Sequence, residues 1–230
     1  EAEFECKVRK IKFLNPDLGL INTEDPIALH VSAYGPRSRA LTAKLGAGWL
    51  YFAGDVDTAA TNAAAMRNAW ADAGRSAGDL TSVAFALGCI LDDGEPYDSP
   101  RAMAQAGPRA AVILHRAADE AIAGLLNSSG IPSAAADAVS GYVKQAMRYE
   151  PADAKYLENH RGHLMFVKPE EQQYVTAELI RDTSFTATES ELKNRIGNLR
   201  DAGYSQFTIQ IVPGQEAAIE DWGRVFKSFD

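Results

Sequence analysis

The chain has 230 residues, of which 46% are hydrophobic and 23% charged, a balance that suits one soluble domain with a buried core and does not suggest disorder. Its formal net charge is -8 and its 23 Lys and Arg are scattered singly, so no basic stripe offers itself to nucleic acid. No apolar run reaches the roughly 20 residues that span a bilayer, and no signal-peptide pattern is visible, so a soluble, cytoplasmic protein with no membrane partner is expected.

The chain opens on Glu1-Ala2-Glu3-Phe4 without an initiator Met. Two readings stand: a scar left by an expression vector, or natural residues of a longer protein. Residues 10–22 set two short apolar stretches around Asn15-Pro16-Asp17, which reads as a β-hairpin-like excursion. Ile27 to Ala33 is a short apolar run suited to a buried strand, and Gly35-Pro36 opens a helix to Leu45. Gly48 to Phe52 is a second strand, followed by an Ala-rich helix over Thr58 to Ala73.

Thr81 to Leu91 is nearly continuous in its hydrophobicity, as a parallel strand covered on both faces should be, and it ends in the acidic turn Asp92-Asp93-Gly94-Glu95. A helical insertion follows. Ser99-Pro100 caps one helix, Gly107-Pro108 restarts it toward Ile122, and another runs from Ser133 to about Tyr149. Further helix is expected over residues 152–180, with one start at Pro169-Glu170-Glu171. Thr188-Glu189-Ser190-Glu191 is a capping box for a helix that ends near Ala202-Gly203. Phe207 to Val212 is the last strand, and Pro213-Gly214 leads into a terminal helix with Trp222 and Phe226. Short buried strands each followed by helix define a parallel α/β domain.

Residues 27–36, with the helix and Gly48-Trp49 behind them, resemble the fifth strand, fifth helix and sixth strand of luciferase-like oxidoreductases. Thr188 to Leu192, Arg195-Ile196, Leu199, Asp201-Ala202-Gly203 and Gln206 to Ile209 are similar to that family's last long helix, Asp-Ala-Gly turn and eighth strand, and His160 to Glu171 resembles the segment before them. The similarity covers residues 7–229. It implies a single α/β domain of the (β/α)8 TIM-barrel type, of which only about the second half, strands 5–8, stands in this chain. The N-terminal part that carries the family's usual catalytic side chains has no counterpart here, so the catalytic residues stay unknown. Because half a parallel barrel leaves two open edges, a homo-oligomer or a companion N-terminal fragment is expected.

The resemblance implies an oxidoreductase that uses coenzyme F420 or FMN, by hydride transfer or flavin monooxygenation of an organic small-molecule substrate. The alternative is a non-catalytic binding or structural homologue. In the family, the positions of Ser32, Ala33, Tyr34, Gly35 and Pro36 hold the phosphate side of the cofactor, and Arg37 and Ser38 extend that site. A strand end that delivers a helix N-terminus suits an anion, while the bland reading is a tight turn into the helix. Tyr34, Trp49, Tyr51 and Phe52 either line a pocket over a flat ring or belong to the core.

Asp92, Asp93 and Glu95 offer carboxylates for Mg2+ or a shared proton, yet read as a solvated turn. His160 and His163 share one side of a helical turn, but Gly162 between them and the lack of a spaced third ligand argue for no metal. Cys6 and Cys89 read as reduced thiols, Cys89 as a small hydrophobe in a strand. The sequence contains no Gly-x-Ser-x-Gly, Walker A, Cys-x-x-Cys or Gly-x-Gly-x-x-Gly pattern.

Overall fold

The computed structural model describes residues 3–6, 9–12, 18, 25, 27–125 and 135–229. At the start, β1 (Glu3–Cys6) and β2 (Arg9–Lys12) pair antiparallel, with Glu3 opposite Lys12. The hairpin expected over residues 10–22 falls mostly outside the described residues.

Strand β3 (His30–Ser32) leads into α1 (Pro36–Leu45), where Pro36 fills the first helical position and needs no hydrogen-bond acceptor. Gly46 ends α1 in the left-handed region, at φ 64, a conformation that glycine adopts without strain. Strand β4 (Gly48–Phe52) follows, then α2 (Val56–Asp72), whose N-cap Asp55 accepts a 2.7 Å hydrogen bond from the Thr58 amide. Strand β5 (Ser82–Ala86) is succeeded by β6 (Ile90–Leu91) and the insertion: α3 (Pro100–Gln105), α4 (Gly107–Ile122), α5 (Ala136–Ala146), α6 (Tyr156–Asn159) and α7 (Ala177–Thr183). Strand β7 (Ala187–Thr188), α8 (Glu189–Asp201), β8 (Gln206–Ile209) and α9 (Ala218–Phe226) complete the chain.

The principal sheet has the order β3-β4-β5-β8, with every neighbouring pair parallel. That is the arrangement expected from the sequence for its four apolar segments. One side of the sheet is packed under helices through Trp49, Tyr51, Ala84 and Ala86, which meet Met66, Trp70, Leu192 and Trp222 in one core. Alternation along β4 turns Gly48, Leu50 and Phe52 to the opposite side, where they are only partly buried. A second core forms inside the insertion around Leu114, Tyr142, Leu179 and Ile180. Among the described residues, no helix is long and apolar enough to cross a membrane.

Four expectations need correction. The strand foreseen over Ile27 to Ala33 is confined to His30–Ser32 and is largely exposed, with Ile27 and Leu29 exposed before it, because it lies at the edge of the sheet. The strand foreseen over residues 81–91 breaks at Leu87, because its partner changes: Gln210 N donates to Ala86 O at 2.9 Å, and one residue on Phe185 N donates to Leu87 O at 2.9 Å. The last strand stops at Ile209 rather than Val212. No helix begins at Pro169. Residues 169–171 are turn, since the buried Glu171 side chain folds back to accept the Lys168 amide at 3.1 Å, and α7 instead starts at its Thr176 cap. The helix expected from Ser133 is described from Ala136, its first residues lying outside the described set.

Candidate functional site

In a parallel sheet the backbone amides and carbonyls at the carboxyl ends of the strands point toward a common crevice, which is where such folds bind ligands. Here those ends are the segments after Ser32, Phe52 and Ile209, together with the link from β5 to β6. Of the seven residues singled out in sequence, Ala33 is fully buried and its carbonyl accepts Trp49 Nε1 at 2.9 Å, a structural role. The half-exposed Tyr34 accepts the Phe52 amide at its hydroxyl (3.2 Å) and lies 5.3 Å from the Tyr51 ring, so it ties the ends of β3 and β4 together. The Gly35 amide donates to Ser38 Oγ at 3.2 Å, and that hydroxyl donates to Gly35 O at 2.9 Å. Gly35 and Ser38 therefore cap each other, and Ser32, Pro36 and Arg37 are exposed. Helix geometry still leaves the amides of Arg37 and Ser38 without an intrahelical acceptor.

Two arginines outside the set singled out in sequence, Arg109 and Arg39, stand at this end of the sheet. Arg109, from the first turn of α4, lays its guanidinium 4.4 Å from the centre of the Phe52 ring and against Gly54. Its Nε is enclosed by protein and has no hydrogen-bond partner, and the same is true of Arg39 Nε on α1. Arg39 reaches Asn62 through its terminal nitrogen, and Asn62 Nδ2 donates to Tyr51 Oη at 3.1 Å. Burial pulls the Arg109 guanidinium down to about 10, which still leaves it cationic at neutral pH. Tyr51, raised above its ordinary value by burial, feels both arginines. Enclosed donors without acceptors are uncommon and ask for a partner. A signal for Arg109 did exist: it is the one charged side chain in the stretch from Gly107 to Leu114.

A cleft of about 570 Å³ opens beside the end of β4, between the start of α2 and the elements α7 and α8. Gly54, Asp55, Arg181, Phe185, Arg195 and Asn198 line it. A Cβ on Gly54 would be tight, 3.1 Å from the Thr183 carbonyl and 3.4 Å from the Arg109 guanidinium. The acidic turn behaves as the sequence suggests: Asp92 and Asp93 are exposed, while Glu95 is engaged by Ser99 Oγ (2.7 Å) and Arg101.

Inside the insertion a polar network is assembled that sequence spacing did not reveal. Glu171, fully buried, accepts from His115 Nε2 (2.7 Å), Tyr142 Oη (2.8 Å) and the buried ammonium of Lys168 (3.0 Å). Burial alone would push the Glu171 carboxyl up, but the hydrogen bonds from His115 and Lys168 outweigh it and hold the group at about 2. Asn159 Nδ2 donates to the His115 carbonyl (3.0 Å) and to Asp119 Oδ1 (2.8 Å). The fold also supplies the third imidazole whose lack argued against a metal at His160 and His163: His115.

The principal sheet is that of a parallel α/β protein, with Arg39 and Arg109 standing near the carboxyl ends of its strands. The chain belongs to the luciferase-like monooxygenase family, whose model matches residues 12–206. Among solved structures, it is similar to a coenzyme F420-dependent tetrahydromethanopterin reductase from Methanopyrus kandleri, with a TM-score of 0.55 and 18% identity over 89% of this chain and 51% of that one. It is also similar to an F420-dependent secondary alcohol dehydrogenase in complex with an F420-acetone adduct, with a TM-score of 0.51 and 14% identity over 97% of this chain and 54% of that one. The chain thus spans about half the length of these two structures. No curated protein sequence matches it.

Proposed function

We propose that this chain is the second half of a luciferase-like (β/α)8 barrel, with β3, β4, β5 and β8 as barrel strands 5–8, and that it contributes the anion-binding side of a coenzyme F420- or FMN-dependent oxidoreductase. The observation that carries the reading is the pair of enclosed, unpartnered Nε donors on Arg39 and Arg109. They flank Tyr51 at the same sheet end where α1 presents the amides of Arg37 and Ser38. A phosphate-bearing cofactor suits this donor set, since phosphate oxygens accept from guanidinium groups and from helix-start amides alike. When bound, the cofactor supplies the hydride or oxygen chemistry. The chain's own residues bind its charged end, and Tyr34, Tyr51 and Phe52 shield that contact from water.

Titration with FMN and with coenzyme F420 tests the proposal. A Cβ on Gly35 would come no nearer than 4.0 Å to Ser38 Oγ, so Gly35→Val should fold normally while crowding the approach to the amides. Arg109→Met removes a charged donor worth about 1.5–3 kcal/mol and should weaken binding roughly 10- to 100-fold. If neither cofactor binds even when the N-terminal half is restored, the enzyme reading is wrong. A non-catalytic binding or structural homologue is the second reading. Visible absorbance of the purified protein separates the two, because bound flavin or deazaflavin is coloured.

A further inference from the structure

The chain contains four histidines, and three of them converge on one point although 48 residues separate the first from the last. His115 projects from the buried side of α4, while His160 and His163 come from the turn after α6. Gly162, at φ 81, and Leu164, at φ 60, bend that turn back so that both imidazoles face α4. His163 Nδ1 stands 3.3 Å from His115 Nδ1 and 3.2 Å from His160 Nδ1, and the three ligand nitrogens all lie within 4.8 Å of one another.

The outward nitrogens of two rings are already committed. His115 Nε2 lies 2.7 Å from Glu171 Oε1, and His160 Nε2 lies 2.7 Å from Asp119 Oδ2. A carboxylate in that place accepts the ring N–H, so each of these imidazoles keeps its proton on Nε2 and turns a bare Nδ1 lone pair inward. A single Nδ1 proton on His163 can serve only one of the two. The other lone pair then faces nitrogen with no hydrogen between them, an arrangement that a shared cation resolves.

We propose that His115, His160 and His163 bind one zinc-class divalent ion through their Nδ1 atoms, with the fourth position open to water or a ligand. Imidazole donors select zinc, cobalt, nickel or copper, whereas Mg2+ and Ca2+ require oxygen. Zn–N bonds of roughly 2.0–2.1 Å in a tetrahedral site put the nitrogens about 3.3 Å apart, as His163 stands from both neighbours. The supporting shell is of the kind that metal-bound histidines use: a carboxylate behind each of two rings, with Glu171 itself fixed by Tyr142 and Lys168, and Asp119 by Asn159. His115 is only 1% exposed, but His160 and His163 are partly open, which gives the ion a way in. The Leu164 carbonyl accepts Gln210 Nε2 at 2.9 Å, so the ion would fasten the insertion beside the end of β8.

The test strips the full chain with a chelator and titrates it calorimetrically with Zn2+, and with Co2+ followed by visible absorption. One ion per chain, four-coordinate Co2+ bands and a Zn2+-dependent rise in Tm are the expected results. His163→Ala leaves Glu171 and Asp119 paired and so should fold, as checked by circular dichroism, yet bind zinc at least about 100-fold more weakly and lose the rise in Tm. Asp119→Asn should weaken binding roughly 10- to 100-fold. His30→Ala, at the one histidine outside the cluster, should bind as wild type does. Lack of stoichiometric binding to wild type, or equal affinity in His163→Ala, overturns the proposal.

Discussion

Glu95 shows how much one residue in a turn can be asked to hold. Its carboxylate accepts from the Asp92 amide at 2.9 Å, from Ser99 Oγ at 2.7 Å and from both arms of Arg101, and the Arg101 hydrogen bonds are the main reason its carboxyl is lowered to about 2. Since an unfolded glutamate titrates near ~4.3, the folded value is depressed, and the stabilisation is complete above that pH and lost as pH falls through about 2. Glu95→Gln should therefore lower the urea midpoint at pH 7, with the gap to wild type closing between about pH 4.5 and 2. A gap that ignores pH across this window would deny the carboxylate that role. Cys89 makes the opposite case. It is fully buried, and burial pushes its thiol up to about 12, so in a Cys6→Ser background it should resist a thiol reagent at pH 8 until urea is added. Rapid labelling of the native protein would contradict that. Both residues were legible in sequence, Glu95 as part of a turn and Cys89 as a small hydrophobe in a strand. Arg109 and His115 were not assigned, because α4 delivers them to partners that spacing along the chain cannot identify.

Among the elements, the parallel strands were readable from short apolar runs each followed by helix and their order from the resemblance to the luciferase-like family, and the caps at Asp55, Ser99 and Thr188 sit where local chemistry demands them. What sequence concealed was the change of partner in the middle of one apolar run. Up to Ala86 the strand is bonded to β8, and from Leu87 it is bonded to residues 185–188, a switch that hydrophobicity does not register. Gly88 stands at the junction, and a Cβ built there would overlap the Phe185 carbonyl outright. Backbone cannot yield as a flexible side chain does, so Gly88→Ala should force the two segments apart and destabilise the protein by roughly 3 kcal/mol. Gly197→Ala is the control. It lies within α8, where a Cβ meets nothing within 4 Å, and removing a helical glycine should leave stability equal or raised by about 1 kcal/mol. Equal melting temperatures for Gly88→Ala and wild type would show that the junction has room it is not seen to have.

For the molecule as a whole, the two sides of the principal sheet have different fates. Helices cover the side that carries Trp49, Tyr51, Ala84 and Ala86, whereas Leu50, Phe52, Phe85 and Thr208 are only partly buried on the other. Ile27 and Leu29, which lead into the edge strand β3, are exposed. In a closed barrel the second side would be the packed interior, filled by layers of side chains from all strands. Among the described residues β3 and β8 each have one edge without a partner strand, and such edges together with apolar side chains favour association, because pairing satisfies the edge amides and removes apolar area from water together. We therefore expect the chain alone, at micromolar concentration, to sediment as a dimer or larger species rather than at 24.8 kDa. Leu50→Glu places a charge in the middle of that side without touching the helix-covered core, and burying it unpaired across an interface would be costly. The variant should keep its helical circular dichroism and shift toward monomer. A wild-type chain that stays monomeric at high concentration, with no second polypeptide bound, would mean that this side of the sheet is not an unfinished barrel interior.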